Sequence, residues 1–155
     1  VDINQVVREG LFFLEARCAK AGIEVQYELS GELPLIVADA AQINQVLVNL
    51  VVNAHQAMPE GGVLRVQTTA GDGQVCLRVE DTGMGMSPEV RQQVFMPFFT
   101  TKDVGQGTGL GLPVVHGIVA SHGGEIKIDS VAGQGTHIEI WLPIAPAPVL
   151  EEAAP

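Results

Sequence analysis

One helix-sized stretch carries amides where charges would be expected. Gln42, Gln45, Asn49, Asn53 and Gln56 recur three or four residues apart, which places them on one helix face. Ile43, Val46, Leu47, Leu50, Ala54 and Ala57 form the opposite, apolar stripe. A solvated face normally carries Lys and Glu, and Asn is a poor helix former. A carboxamide offers a neutral oxygen acceptor and two N–H donors, and its oxygen is a hard donor that suits Mg²⁺. Taken alone, Asn49 and Asn53 are equally readable as ordinary surface polars. Farther along stands Asp81-Thr-Gly83-Met-Gly85. A carboxylate there can accept from an adenine amine, while the glycines let backbone approach a flat base. The plainer reading is a glycine-rich turn capped by Asp81. The third stretch is Gly105-Gln-Gly107-Thr108-Gly109-Leu110-Gly111-Leu112. Alternating glycines that lead into a helix expose successive N–H groups and can cradle phosphates. Lys102 adds a charge and Thr108 a hydroxyl. The spacing excludes a P-loop, since no Lys is followed by Ser or Thr. It also excludes a dinucleotide fingerprint and the protein-kinase glycine loop, because position 110 is Leu110. A hinge or lid loop is the competing reading.

These stretches need elements to hold them. Ile3, Val6, Val7, Leu11, Leu14 and Cys18 predict a helix over 2–20. Val25, Tyr27 and Leu29 predict a strand over 24–29, and 35–38 a second short one. Asp39 is a candidate N-cap for a helix that runs to about Met58, stopped by Pro59 and Gly61-Gly62. Residues 63–69 and 75–80 alternate across Gly71–Gly73, and 125–129 and 136–142 across Gly133–Gly135, which predicts two hairpins. Residues 81–108 read as loop with a short helix after Ser87-Pro88, and a helix follows over about 109–122. Paired hairpins covered by helices predict an α+β two-layer sandwich. Residues 1–143 form the expected domain, and 144–155 a disordered Pro/Ala/Glu-rich tail.

Composition narrows the partners. The chain has 155 residues, enough for one core, with 46% apolar and 17% charged residues. Its net charge of −10 argues against a nucleic-acid or anionic-membrane surface. No apolar run reaches the ~18 residues of a membrane span. Cys18 and Cys76 read as small apolar fillers, and neither Cys-x-x-Cys nor His-Glu-x-x-His occurs. The first residue is Val1, so we read the chain as a piece of a longer protein. His55, His116, His122 and His137 are scattered and read as packing or surface residues, and Phe95, Phe98 and Phe99 as a hydrophobic latch before the glycine loop.

In combination the motifs are specific. Gln45-Val-Leu-x-Asn49-Leu-x-x-Asn53-Ala, Asp81-x-Gly83-x-Gly85, Phe95-x-x-Phe98-Phe99, Gly107-Thr-Gly-Leu-Gly-Leu112 and Gly133-x-Gly135-Thr136 closely resemble the catalytic, ATP-binding domain of bacterial sensor histidine kinases. The resemblance spans about residues 2–143. Asn53-Ala-x-Gln-Ala-Met58 with Phe98-Phe-Thr-Thr-Lys102 is most similar to the nitrogen-regulator type. The implied fold is the Bergerat sandwich, a mixed sheet covered on one face by about three helices, with a short ATP lid. By the same resemblance Asn53 holds Mg²⁺, with Asn49 beside the metal, and Asp81 binds the adenine amine. Gly83 and Gly85 line the base pocket, supported by Thr136. Gly107, Thr108, Gly109, Leu110 and Gly111 contact phosphates, and Lys102 reaches the terminal ones. His55 stands where the pattern has a small or apolar residue and receives no role.

The resemblance also implies a reaction. ATP-hydrolysing relatives carry Glu at the place of Asn49, where it acts as a general base, and Asn cannot accept that proton. The expectation is therefore negligible ATPase activity and, in the full protein, transfer of the γ-phosphoryl to a histidine on a separate dimerisation hairpin. That hairpin is missing here, so the fragment should be a monomer that binds ATP without autophosphorylating, and a response regulator is the expected downstream partner. A cytoplasmic location follows, whether or not the whole protein is anchored in a membrane. The competing readings are an anti-sigma-type serine kinase on the same fold and a non-catalytic nucleotide-dependent binding module.

Overall fold

The computed structural model describes residues 1–85 and 111–144. Helix α1 (Ile3–Lys20) starts at an N-cap, Asp2, whose carboxylate accepts the Asn4 N–H. Strand β1 (Ile23–Leu29) follows. Helix α2 (Ala40–Ala57) starts at Asp39, whose carboxylate accepts from the N–H groups of Ala41 and Gln42. Then come β2 (Gly62–Gly71), β3 (Gln74–Asp81), helix α3 (Gly111–Ser121), β4 (Glu125–Val131) and β5 (Gly135–Pro143). The five strands form one mixed sheet in the order β1-β2-β3-β5-β4. Only β1 and β2 pair in parallel, with the two hairpins and their β3–β5 junction antiparallel. This is the expected α+β sandwich.

Alternation decides what each sheet face does. Leu64, Val66, Val75, Leu77, Val79, Ile138, Ile140 and Leu142 are buried. They meet Ile3, Val7 and Leu11 of α1, Ile43, Leu47 and Leu50 of α2, and Val115 and Val119 of α3 in one core. Helix α2 lies between the other two, touching α1, α3 and β3. The other sheet face is charged. Arg65 reaches Glu28 and Glu80, and Arg78 reaches Glu80 at 2.7 Å and Glu139. These ion pairs cross four strands on the face that carries no described helix.

The expected strand over 35–38 is reduced to a single bridge, Ile36 with Ile144. Ile36 also exchanges both backbone bonds with Val1. Ile36 is the one residue of the run in a bridge among the described residues. The glycine-loop helix begins at Gly111 among the described residues. No described helix is long and apolar enough to cross a membrane.

Candidate nucleotide site

The amide face of α2 changes character along its length. Gln42 and Gln45 are exposed, whereas Asn49, Asn53 and Gln56 are half-buried. Gln45 Nε2 donates to Asn49 Oδ1 at 2.7 Å. The helix then ends against the loop that follows β3: the Ala57 carbonyl accepts the Met84 N–H at 3.0 Å.

That loop contains both glycines of the Asp-x-Gly-x-Gly stretch. A Cβ on Gly83 would run into the Ala57 carbonyl. Gly85 has φ +66°, and a Cβ there would meet the Val131 carbonyl. Both positions need glycine, one for close approach and one for a left-handed backbone. Thr82 ties the loop down from behind, its Oγ1 accepting the Val63 N–H at 3.0 Å.

Asp81 closes β3 opposite Thr136 of β5. Its Oδ1 accepts the Gly83 N–H at 2.8 Å. Burial pushes its carboxyl above the ordinary carboxylate range, against the downward pull of the Gly83 and Thr136 backbone N–H groups. Thr136 is itself buried, and its hydroxyl pairs with Ser130 Oγ at 2.8 Å. The Gly133 N–H bonds the Met84 carbonyl, so the β4–β5 turn holds the other side of the loop.

Asp81, Gly83, Gly85 and Thr136 are thus brought together, next to the end of the helix that carries Asn49 and Asn53. Gly111 opens α3, whereas Lys102, Gly107, Thr108, Gly109 and Leu110 lie outside the described residues, as do Phe95, Phe98 and Phe99. Two contributors escape a reading of motifs: the Ala57 carbonyl and Ser130. Strand alternation could have found Ser130, which lies opposite Thr136 in the hairpin. The donor set fits a hard cation bound with a polyphosphate. It offers amide oxygens on α2, and no described group of three His, Cys, Asp or Glu residues could hold a metal alone. An open recess of about 390 Å³ lined by His116, Glu125 and Lys127 shares no residue with this site.

Residues 38–146 match the family model described as histidine kinase-, DNA gyrase B-, and HSP90-like ATPase. The sensor kinase CckA of Brucella abortus is 42% identical over 92% of this chain, which corresponds to 17% of that protein. The catalytic domain of histidine kinase ThkA, solved free of nucleotide, superposes with a TM-score of 0.84 at 32% identity, covering 94% of each chain. Full-length ShkA, solved with AMPPNP, gives 0.84 at 34% identity over 95% of this chain and 31% of its own. ThkA is also solved in complex with the response regulator TrrA, with a TM-score of 0.79 at 28% identity over 93% and 41%. The chain spans about a sixth to a third of the curated relatives it matches.

Proposed function

The chain belongs to the histidine kinase-, DNA gyrase B- and HSP90-like ATPase family, as an ATP-binding catalytic domain of the sensor histidine kinase kind; from that premise we propose that the site takes ATP together with Mg²⁺ and that the whole protein passes the γ-phosphoryl to a histidine outside this chain. The observation that carries the reading is Asp81. Its half-buried carboxylate stands at the end of β3 beside Gly83 and Gly85, where any side chain would meet backbone, and burial disfavours its charge unless a donor faces it. The exocyclic amine of adenine supplies it, with Gly83 and Gly85 clearing space for the ring and Thr136 bracing the wall.

Asn53 offers Mg²⁺ its amide oxygen, and Asn49 lies one turn earlier beside the metal and its waters. The ion would neutralise phosphate charge, which an acidic protein needs. The start of α3 at Gly111 presents backbone N–H groups to the phosphates. Lys102, Gly107, Thr108, Gly109 and Leu110 are assigned to the phosphates on the sequence pattern alone. Within the whole protein, a dimerising helical hairpin would carry the acceptor histidine and a response regulator would receive the phosphoryl group.

Calorimetric titration tests the site. ATP should bind more tightly with Mg²⁺ than in EDTA, and Asn53→Ala should abolish that difference while leaving the EDTA value unchanged. GTP binding as tightly as ATP would overturn the assignment of Asp81. Incubation with labelled ATP tests the reaction. Acid-labile label should appear on a separately supplied acceptor hairpin and not on this chain, whereas stable label on the isolated chain would contradict the reading.

A further inference from the structure

Helix α3 ends in a Schellman motif: the Gly124 N–H bonds the Val119 carbonyl, and the Gly123 N–H bonds that of Ala120. The motif fixes the backbone of His122 at the cap and turns its ring toward α2. Nδ1 lies 2.8 Å from the Ile118 carbonyl, and Nε2 accepts the Asp39 N–H at 3.1 Å. The Ile118 carbonyl can only accept and the Asp39 N–H can only donate. A neutral imidazole protonated on Nδ1 therefore meets both demands at once. Asp39 is in turn the N-cap of α2. One ring joins the end of α3 to the beginning of α2.

The pin lies at the far end of both helices from the nucleotide site. Gly111 opens α3 eleven residues before His122, and Leu50 lies eleven residues after Asp39. At 1.5 Å per residue both distances are about 16 Å. With the end of α3 held against the start of α2, the first turn of α3 lies level with the turn of α2 that bears Asn49 and Asn53. Between the pin and that turn the helices bury Leu47, Leu50, Val115 and Val119. Such aliphatic packing is non-directional, and the pin adds to it a directional contact that marks one axial register. A slip of one residue would move the N-terminus of α3 by about 1.5 Å relative to the amides.

We propose that His122 is a positioning residue. By pinning α3 to the cap of α2, it sets the register between the helix that starts at the phosphates and the helix that offers the metal its amide oxygens. The inference rests on the nucleotide assignment above. It makes a distinction that general loosening of the fold would not. The base pocket of Asp81, Gly83 and Thr136 is built from β3, its loop and β5, without α3. Loss of the pin should therefore weaken binding of the triphosphate with Mg²⁺ and spare that of the nucleoside.

Calorimetry on this chain with His122→Ala should show ATP–Mg²⁺ bound about three- to tenfold more weakly, the loss expected for one hydrogen bond. Adenosine affinity should be unchanged. His122→Gln, whose amide oxygen can take the place of Nε2, should recover most of the loss, and the shorter His122→Asn should not. Adenosine and ATP–Mg²⁺ weakened in step would overturn the proposal, and so would no change in either. A nucleotide-free readout separates its failure from failure of the nucleotide assignment. Spin labels on Ala41→Cys and Ala120→Cys, both exposed, should report a narrow distance distribution that His122→Ala broadens. The native thiols are buried, and burial pushes the pKa of each up and so keeps the reactive thiolate scarce. An unchanged distribution in His122→Ala would overturn the pin whatever nucleotide the chain binds.

Discussion

Gln45 Nε2 donates to Asn49 Oδ1 across one turn of α2, at 2.7 Å. The pair fixes which way the Asn49 amide faces. It also means that an acceptor at position 49 already has a partner, so a carboxylate placed there would be held as the amide is. Asn49→Glu should therefore fold and present a general base near the terminal phosphate. A positioned base contributes on the order of 10²- to 10⁴-fold, so phosphate release from ATP should rise by at least about 10². A phosphate-release assay on the two proteins checks this. Wild type hydrolysing ATP as fast as the variant would show that Asn49 does not suppress hydrolysis.

Gly83 lies against the Ala57 carbonyl, where a Cβ would come within 2.3 Å of the oxygen. Gly83→Ala drives a methyl into the carbonyl that accepts the Met84 N–H, so either that bond or the position of the loop must give. A lost backbone bond costs about 1 kcal/mol. The larger effect should be on ligand binding, because the loop is the wall of the proposed base pocket. Adenosine affinity should fall by more than about tenfold, since positional errors at a fitted site are costly. Gly71→Ala, in open space at the β2–β3 turn, is the control and should bind normally.

Asp81 ties function to instability. Its folded-state carboxyl is raised by burial, so in the window above the ordinary carboxylate value the native protein holds the proton more firmly than the unfolded chain. Stability from this group is then present at acid pH and falls as pH rises through that window. Asp81→Asn removes the buried charge and keeps an oxygen for the Gly83 N–H. Its melting temperature at neutral pH should equal or exceed that of wild type, while adenosine affinity drops. Acidification should weaken adenosine binding by wild type and leave the weaker binding of the variant flat. Calorimetry with adenosine, which has no phosphate to titrate, measures both at pH values above the ordinary carboxylate value, where adenine N1 is still unprotonated.

What the sequence made legible follows from what each residue needs locally. The amide stripe, the glycine pair after Asp81 and the alternation of the two hairpins are patterns within one element, and each has its counterpart in the fold. Pairings between distant residues left no such trace. His122 read as packing because nothing near it in the chain announces the Asp39 N–H, 83 residues away. The run 35–38 is apolar and reads as a short strand, yet its partners are single residues at the two ends of the domain. Asn4 occupies the first turn of an amphipathic helix, where a polar residue reads as solvated, and it is buried.

That burial yields a stability prediction far from the nucleotide. Asn4 Nδ2 donates to the Ser30 carbonyl at 2.6 Å, the Ser30 N–H donates to Thr68 Oγ1 at 2.9 Å, and Thr68 donates to Asn4 Oδ1 at 2.7 Å. The three groups close a ring that joins α1 to the end of β1 and the middle of β2, with Thr68 and Asn4 out of water. Thr68→Val keeps the shape and removes the hydroxyl. It strands the Ser30 N–H and one lone pair of Asn4, and an unsatisfied buried group costs about 1–3 kcal/mol. Thr68→Ser keeps the hydroxyl and loses one methyl, which costs about 1 kcal/mol. Urea denaturation should rank wild type above Thr68→Ser and Thr68→Ser above Thr68→Val. Adenosine affinity should be equal in all three under native conditions, because no member of the ring reaches the base pocket. If Thr68→Val were as stable as wild type, the hydroxyl would contribute nothing to holding α1.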